Sequence, residues 1–458
     1  MKVGSLMDSQ RVAGRLVNLD ARTINRSVFV DPDIYAQEQE RVFPRSWLFV
    51  GHVSQIPANG DFVLSRMGED SVILNRDMDG QVHVFLNSCR HRGMRLSRYD
   101  FGNTRNFVCP YHGWAFRANG ELGGVPERAN GYGDRLDSQD WRLIEVPQLV
   151  EYRGTIWGCW AADAPDFKAA MGVAINYLDA FLDLPDGSDG DLEVIGGIHK
   201  WRMPCNWKWA AENFAGDIYH NVSHVSVDRV RISPSQSKGR HTFDVIKDPA
   251  HTLNMSVPTL GHAARAVLSQ GDYPYTSQYP AHPAVETYFR SAYEARQRRL
   301  GTRSRLNFMG GNLFPNMSFS NGRTSIAVWH PVGPHETEAW RWYLLPKSAP
   351  QEVKDVLRSY VMRYAGPGGM TEQDDMENWA YAHQSCRSTV ARRYPFNYDL
   401  GSGKPFDAPA AYLVEGLGAV SEGISEHNQR GLYGRWAELM DKPSSAGPAV
   451  PVKCEHEQ

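Results

Sequence analysis

Two short cysteine–histidine pairs constrain this chain more than any other feature of its sequence. Cys89 and His91 form the first pair, and Cys109 and His112 form the second. Neighbouring glycine and proline residues predict that each pair lies at a loop tip, so the two loops offer two thiolates and two imidazoles. Two ligand sets fit: a structural zinc ion, or a Rieske [2Fe–2S] cluster with cysteines on one iron and histidines on the other. The alternating order favours the cluster, because each loop then supplies one ligand to each iron.

The segment around both pairs has the pattern of a small antiparallel β domain. Short runs rich in β-forming residues alternate with turn residues, and Asn119-Gly120 is a strong hairpin signal. The runs lie at residues 62–66, 72–76, 82–87, 114–117, 121–123 and 154–160. We expect this β domain to span residues 41–160, after a lead-in at residues 1–40 that packs on the second, larger domain.

The pattern changes near residue 161, where apolar residues begin to recur at helical spacing. Helices are predicted at residues 166–184, 206–225, 283–300, 350–365 and 371–392, and strands at 312–320, 325–331 and 338–346. Helices and strands in separate runs predict an α+β fold, in which an antiparallel sheet is flanked by helices. We expect this larger domain to span residues 161–442, with a mobile tail at 443–458.

A second group of candidate metal ligands lies in the predicted helix at residues 206–225. On an α-helix, Asp217, His220 and His224 share one face within an arc of about 60°. Two histidines four positions apart on one helix face can hold a divalent metal ion. The same pattern also fits a polar stripe with ordinary histidines, so these residues alone leave both interpretations open.

A carboxylate that could complete this site occurs much later in the chain. Thr371 and Asp374 fit a helix N-cap and its acidic partner, and such acids need do no more than stabilise the first turn. Asp375 lies just inside that turn, where its side chain can point outward as a ligand. Two histidines and one carboxylate form a facial triad that leaves open positions on Fe(II) for O2 and a substrate.

Four motifs make residues 28–435 resemble the large (α) subunit of aromatic-ring-hydroxylating dioxygenases, the naphthalene, biphenyl and toluene dioxygenase group. They are Asn-Ser-Cys-Arg-His-Arg-Gly at 87–93, Cys-Pro-Tyr-His-Gly-Trp at 109–114, Glu-Asn-Phe-Ala-Gly-Asp-Ile-Tyr-His at 212–220 and Glu-Gln-Asp-Asp-Met-Glu-Asn-Trp at 372–379. The resemblance implies that His220, His224 and Asp375 bind iron. It also implies that Asp217 bridges this iron site to a Rieske histidine of a neighbouring subunit.

The chain departs from that family at one point. The family usually has four or five residues between the two iron-binding histidines, whereas His220 and His224 are separated by three. On a continuous helix the shorter spacing still directs both side chains to the same face, so the resemblance keeps His224 as a ligand.

The resemblance also implies an activity, the O2-dependent cis-dihydroxylation of an aromatic hydrocarbon, polycyclic or biaryl, by a terminal oxygenase. NADH would supply electrons through a separate reductase and ferredoxin, because this chain has no Gly-x-Gly-x-x-Gly nucleotide fingerprint. A small β subunit is the implied structural partner, in an α3β3 assembly. Alternatives are a Rieske oxygenase for an aromatic carboxylate such as phthalate, a Rieske monooxygenase or demethylase, and an electron carrier or zinc-stabilised binding protein.

The resemblance further points to substrate-pocket residues around the mononuclear iron. They are Asn213, Phe214, Ile218, Asn221, Phe308, Ser320 and Thr371. None of these positions holds an arginine, which favours a neutral arene over an aromatic carboxylate. Arg305 and Arg323 are the arginines that we consider able to reach the pocket from elsewhere.

Composition argues against several other classes of function. The formal net charge of −3 disfavours nucleic acid as a partner, and no run approaches the roughly eighteen apolar residues of a membrane span. Two of the six cysteines belong to the motif pairs, and the others lack disulfide-type spacing. This usage is typical of a reducing compartment, so we expect a cytoplasmic protein.

Overall fold

The computed structural model of the protein describes residues 12–230, 252–267, 282–306, 308–320, 324–403 and 416–443. The strands in these ranges pair antiparallel and are accompanied by helices, which confirms the predicted α+β class. None of the helices in these ranges is long and apolar enough to cross a membrane. The predicted mobile tail beyond Pro443, the first residues of the lead-in, and Arg323 lie outside the described residues.

The first part of the chain folds into three small antiparallel sheets. The first sheet has the strand order Val82–Leu86, Asp70–Arg76, Asp61–Met67 and Phe101–Asn103. The second has the order Leu122–Gly124, Ala115–Arg117 and Asn106–Val108. The third has the order Gln148–Tyr152, Thr155–Cys159 and Leu48–His52. The predicted hairpin at Asn119-Gly120 joins two strands of the second sheet, where Leu122 pairs with Phe116. A compact core rich in aromatic rings, including Phe107 and Trp114, supports the loops that carry both cysteine–histidine pairs.

A large antiparallel sheet forms the centre of the second part. Its strand order is Leu192–Val194, Glu336–Pro346, Ser325–Gly333, Met317–Ser320, Phe308–Leu313, His262–Val267, Thr252–Val257 and Ala419–Glu422, and His199–Met203 also pairs with Glu336–Pro346. A separate small sheet joins Val17–Asn18, Thr23–Ile24 and Phe396–Asn397. The single strand predicted at 312–320 is instead a hairpin. Its turn contains Pro315, which has no N–H to offer a strand ladder.

The helices of the described residues flank these sheets. They span Val12–Leu16, Pro32–Arg41, Arg128–Gly131, Phe167–Met171, Ile175–Leu182, Trp207–Gly216, Val225–Val230, Pro283–Leu300, Gln351–Tyr364, Met370–Cys386 and His427–Met440. The helix predicted at 166–184 is divided in two near Gly172, which has a positive φ of 52°. The N-cap of Met370–Cys386 is Gly369 rather than the predicted Thr371, whose hydroxyl instead donates to the Tyr364 carbonyl.

One face of the large sheet carries the helix Trp207–Gly216, and we call it the site face. The small side chains of this helix let it lie close to the strands. The buried cluster between them contains Ala210, Ala211, Ala215, Ala263, Ala327, Trp329 and Ala339. Side chains alternate along a strand, so Ala264 and Val328 belong to the cluster on the opposite face. The helix Met370–Cys386 also joins the site face, where Trp379 meets Trp329 at a ring-centroid distance of 5.9 Å.

The prediction of one continuous helix at residues 206–225 is wrong, because the segment is interrupted in its middle. The segment forms three pieces, the α-helix Trp207–Gly216, the 3₁₀ helix Tyr219–His224 and the α-helix Val225–Val230. The first helix ends at Gly216, whose φ is +153°. A Cβ at this position would lie 2.5 Å from Asn428 Nδ2 and 2.8 Å from Asn254 Oδ1. These two asparagines are distant in sequence but pack so closely against this position that only a glycine fits. The helix ends at this glycine.

Candidate functional site

The two cysteine–histidine loops have the same backbone hydrogen bonds. In the first loop, the Cys89 amide donates to the Met94 carbonyl at 2.8 Å, and the Gly93 amide donates to the Cys89 carbonyl at 2.9 Å. The second loop repeats both bonds from Cys109, at 2.8 and 3.0 Å. The glycine four positions after each cysteine has a φ of +73° or +74°, which only glycine adopts at low cost. Each loop is thus closed by its own backbone.

These loops bring the four predicted cluster ligands together. Cys89 and Cys109 are buried, and the imidazole rings of His91 and His112 lie 4.6 Å apart between centroids. Burial and the adjacent Cys109 thiol raise the pKa of the Cys89 thiol. Nδ1 of His91 is buried without a hydrogen-bond partner among the described residues, as expected of an atom reserved for a metal. Two thiols and two imidazoles from facing loops fit a [2Fe–2S] cluster.

A second set of ligand atoms converges on the site face. Nε2 of His220 lies 3.1 Å from Nε2 of His224, and each of these atoms lies 3.4 Å from Oδ1 of Asp375. Ligand atoms about 2 Å from one ion, at right angles to each other, lie about 3 Å apart. Among the described residues, these three form a group that could hold a metal ion, in addition to the cysteine–histidine loops. The geometry fits a facial triad.

Hydrogen bonds at the opposite ring nitrogens orient both imidazoles. Nδ1 of His220 contacts the backbone carbonyl of Asp217, and Nδ1 of His224 lies 3.3 Å from Oδ2 of Asp374. The same Asp374 oxygen accepts a 2.6 Å hydrogen bond from the Ser226 hydroxyl. An oxygen acceptor at Nδ1 favours the tautomer in which Nδ1 carries the proton and Nε2 offers its lone pair to a metal. Both Nε2 atoms are therefore prepared as ligands.

The two histidines converge for a different reason from the one predicted. They lie in the 3₁₀ helix Tyr219–His224, where residues four apart are about 120° apart around the axis rather than about 40°. The rings therefore approach Asp375 from different directions along a short segment. The two histidines can therefore converge although only three residues separate them. The tighter 3₁₀ helix brings them together, and not a shared face of an α-helix as we expected.

Asp217 lies at the break between the first helix and the 3₁₀ segment. Its Oδ1 accepts a hydrogen bond from the His220 amide at 3.1 Å, and its side chain is 35% exposed. Burial raises the pKa of Asp217, but hydrogen bonds with His220 and the positive charges of His220 and Arg265 outweigh it and lower the pKa overall. Asp217 thus stays ionised beside the triad, with part of its carboxylate open to the surface.

The predicted pocket residues differ in burial where their side chains are described. Asn213, Ile218 and Thr371 are buried, while Phe214 and Ser320 are half-buried. The structure describes the backbone of Asn221 and Phe308 but not their side chains. Of the two arginines considered earlier, Arg305 is half-buried in the turn Gly301–Arg305, outside the strands of the sheet.

Sequence reasoning missed two arginines on the site face. The first, Arg341, is buried and forms a two-pronged ion pair with Glu372, at 2.6 and 2.9 Å. Its guanidinium carbon lies 6.0 Å from the ring centroid of Phe214, a predicted pocket residue. The group next to Phe214 is therefore an ion pair whose two charges neutralise each other, and not an unpaired arginine. The second, Arg265, is half-buried on the strand His262–Val267. No sequence motif marks either residue, since their position depends on the register of the sheet.

Comparison with known proteins matches both parts of the chain to protein families. Residues 46–148 match the Rieske [2Fe-2S] domain, and residues 191–442 match the ring hydroxylating alpha subunit (catalytic domain). The first match decides between the two ligand sets of the cysteine–histidine loops in favour of the cluster, and the second accounts for a mononuclear iron in the other part.

Several proteins are similar over almost the whole chain. The α subunit of biphenyl 2,3-dioxygenase from Rhodococcus jostii (strain RHA1) is 37% identical, over 93% of this chain and 91% of the relative. The α subunit of benzene 1,2-dioxygenase from Pseudomonas putida is 35% identical, over 94% and 93%. The crystal structure of a naphthalene 1,2-dioxygenase variant bound to phenanthrene has a TM-score of 0.84 and 31% identity, covering 94% of this chain and 95% of that one. A quaternary ammonium Rieske monooxygenase, 15% identical with a TM-score of 0.66, shares the fold.

Proposed function

Because this chain belongs to the family of aromatic-ring-hydroxylating dioxygenase α subunits, we propose that it catalyses the O2-dependent cis-dihydroxylation of an aromatic ring. One observation carries the proposal: Cys and His loops suited to a [2Fe–2S] cluster and a convergent two-histidine, one-carboxylate group occur in the same chain. The cluster supplies single electrons when bound, and the mononuclear iron activates O2. The residues of this chain position both groups and the substrate.

We assign the mononuclear iron to Nε2 of His220, Nε2 of His224 and Oδ1 of Asp375. The distances of 3.1 and 3.4 Å among these atoms support the assignment, as do the oxygen acceptors that hold both Nδ1 atoms. Three protein ligands of this kind would leave open positions on the ion for small ligands. We assign the cluster to the two thiolates and two imidazoles of the loops, Cys89, His91, Cys109 and His112.

We propose that Asp217 connects this iron site to the cluster of a neighbouring chain. Its carboxylate is bonded to the His220 amide on one side and is partly exposed on the other. The rings of His91 and His112 are also only half-buried, so they can reach a partner's surface. Oδ2 of Asp217 also lies 3.8 Å from Nδ1 of His220, so the carboxylate can link this imidazole to one on a neighbouring chain. This role requires at least two copies of the chain.

The pocket favours a flat apolar ring. Phe214 and Ile218 lie in the same segment as His220, and the rings of Phe214 and Trp329 pack at a centroid distance of 5.4 Å. Aromatic and aliphatic walls bind an arene through apolar contact and exclude water from the reacting atoms. A polycyclic or biaryl ring system fits the proposal, since biphenyl and naphthalene dioxygenases are among the relatives.

Proteins of this family are terminal oxygenases that work with ferredoxin and reductase components and often with a β subunit. For this chain we propose an NADH-dependent reductase, a ferredoxin and a small β subunit in an α3β3 assembly. The cytoplasmic location and the domain limits at residues 41–160 and 161–442 stay predictions.

The experiment that tests this function is turnover of naphthalene under 18O2 with NADH, a reductase and a ferredoxin. The proposal expects a cis-dihydrodiol in which both oxygen atoms carry the label. A product with a single labelled oxygen would favour the monooxygenase alternative, and a protein that holds zinc and oxidises nothing would contradict the proposal.

A second candidate, oxidation of an aromatic carboxylate, is favoured by one specific observation. Arg265 lies on the site face, close enough for its charge to act on Asp217 and His220. A positive charge at this place favours a substrate that carries a negative carboxylate.

A further inference from the structure

A second pair of histidines lies close together in the larger part of the chain. Nδ1 of His335 lies 3.1 Å from Nε2 of His383. His335 belongs to the turn between the strands Ser325–Gly333 and Glu336–Pro346, and His383 lies in the last turn of the helix Met370–Cys386. The pair therefore joins this helix to the large sheet.

This pair is separate from the proposed iron site. His383 lies eight positions after Asp375 on the same helix, which corresponds to about 12 Å along the helix axis. Trp379 lies between them in sequence, and its ring packs on Trp329. An ion held by the second pair would therefore share no ligand with the mononuclear iron.

The second pair has nearly the same geometry as the two histidines of the triad. In the triad, the ligand nitrogens of His220 and His224 lie 3.1 Å apart, and the ring centroids lie 5.0 Å apart. In the second pair the nitrogens also lie 3.1 Å apart, and the ring centroids lie 5.2 Å apart. Two nitrogens at 2.0–2.1 Å from one zinc ion, with about 90° to 110° between them, lie roughly 2.8–3.4 Å apart. The observed distance therefore fits two ligands of one ion, as well as a hydrogen bond between the rings.

A hydrogen bond between the two rings leaves the buried ring incompletely bonded. His383 is only 2% exposed, and its Nδ1 has no hydrogen-bond partner in the described part of the chain. A buried polar atom without a partner calls for an explanation, such as a bound ion nearby. An ion at Nε2 would give this ring a stronger interaction than one hydrogen bond between neutral groups.

Both imidazoles are in the protonation state that a metal ion requires. Burial lowers the pKa of His383 to about 4, and burial also lowers the pKa of His335. Both rings are therefore neutral at pH 7 and have lone pairs available. No proton has to leave before an ion binds at that pH.

The charges around the pair allow a cation to bind. His383 lies near the carboxyl end of its helix, where the last carbonyl groups carry partial negative charge. The positive charges of Arg387 and Lys208 act on the pair in the opposite sense. Arg387 is exposed, so water and salt screen its charge, and Lys208 is paired with the buried carboxylate of Glu38. His335 is half-buried, so water can complete the coordination of an ion on its open side.

We propose that His335 and His383 form an accessory site for a divalent transition-metal ion that accepts imidazole ligands, such as Zn²⁺. A closed structural zinc site has four protein ligands, whereas this site has two, so the ion binds reversibly. A bound ion ties the helix Met370–Cys386 to the sheet and stabilises the folded chain by mass action. The inference does not depend on the proposed function, because neither histidine belongs to the cluster loops or to the triad.

The test measures zinc binding, without oxygen, to enzyme that already holds its cluster and ferrous iron. Equilibrium dialysis against Zn²⁺, followed by analysis of zinc, iron and sulfide, gives the zinc bound per chain and verifies that the iron stays in place. We expect His335→Gln and His383→Gln each to weaken the binding of one zinc ion by at least about tenfold, because one of its two protein ligands is lost. His427→Gln is the matched control, since it changes a half-buried histidine on another helix and should bind zinc like the wild type.

Thermal unfolding provides a second readout for the same variants. Zn²⁺ should raise the unfolding temperature of the wild type and of His427→Gln, but not that of His335→Gln or His383→Gln. Cluster absorbance and iron content verify that each variant is folded. If the buried His383→Gln does not fold, His335→Gln alone decides the question, because it changes a half-buried turn residue. Equal zinc binding by the wild type and His335→Gln would show that the two rings are only hydrogen-bonded to each other, and it would overturn the inference.

Discussion

The two proposed iron sites of this chain are built in opposite ways. The cluster ligands lie in two neighbouring loops, and each loop is closed by its own backbone hydrogen bonds and a glycine with positive φ. The mononuclear triad instead joins a 3₁₀ segment to the helix Met370–Cys386, which occurs much later in the chain. The first site carries its geometry in its local sequence, whereas the second exists only when helices and sheet are packed. The two sites should therefore fail independently when either one is changed.

The largest effect is expected for Asp375→Ala. Loss of the carboxylate removes one of three ligands, so we expect the mononuclear iron to be lost and dihydroxylation to fall by more than about a hundredfold. The cluster should keep its iron, sulfide and visible spectrum. Glu377→Ala is the matched control, an exposed acid on the same helix. An Asp375→Ala protein that retains the extra iron would contradict the assignment.

Asp217→Ala tests the connection between the sites rather than either site. Both metals should stay bound, and the cluster should be reduced at its normal rate. Product formation should fall by roughly a hundredfold, because electrons no longer cross between chains through the carboxylate. Stopped-flow reduction of the cluster, followed by single-turnover product analysis, separates these steps. Undiminished product would remove Asp217 from the path.

A smaller effect is expected for Asp374→Asn, which keeps the shape but removes the charge that faces His224 Nδ1. Outer carboxylates of this kind typically change metal affinity by about 10- to 100-fold. We therefore expect weaker Fe(II) binding in titrations of the iron-depleted protein, with an unchanged cluster. Ser226→Ala removes the other hydrogen bond to the same oxygen and should have a milder effect. Equal Fe(II) affinity in the wild type and Asp374→Asn would show that His224 needs no such support.

Two glycine variants compare the sites by stability. Gly93→Ala keeps open surroundings, with Ser88 Oγ as far as 3.8 Å from the new Cβ, so it should cost about 1–2 kcal/mol for the positive φ alone. Gly216→Ala adds contacts of 2.5 and 2.8 Å with Asn428 and Asn254, so we expect about 2–4 kcal/mol. Denaturant unfolding followed by cluster absorbance and tryptophan fluorescence measures both. A larger loss for Gly93→Ala would reverse the comparison.

The smallest expected effect concerns pH. Burial raises the pKa of Glu212 to about 8, although the hydroxyls of Tyr433 and Tyr398 donate to its carboxylate at 2.6 and 2.7 Å. The folded state therefore keeps a proton that the unfolded state has released above its ordinary pKa, so stability should fall as pH rises toward 8. Glu212→Gln should flatten this fall by about 1–2 kcal/mol in unfolding experiments between pH 5 and 8. An identical slope in both proteins would contradict this cause.

The difference between locally built loops and a site assembled from distant segments also explains which features the sequence could predict. The cysteine–histidine loops, the Asn119-Gly120 hairpin and helix Pro283–Leu300 follow from local residue patterns. The break after Gly216 does not, because it depends on two asparagines that are distant in sequence. The sequence did not predict the position of Arg265 for a similar reason. That position depends on the register of the strands, and the alternation of residue types along a strand does not determine the register.

The most direct test of two iron sites in one chain is metal and acid-labile sulfide analysis of protein purified without oxygen, with Asp375→Ala beside the wild type. The account predicts about three iron atoms and two sulfides per wild-type chain, two irons from the cluster and one from the triad. Asp375→Ala should lose one iron and no sulfide. A wild-type protein with only two irons and two sulfides, or with zinc in place of iron and sulfide, would contradict it.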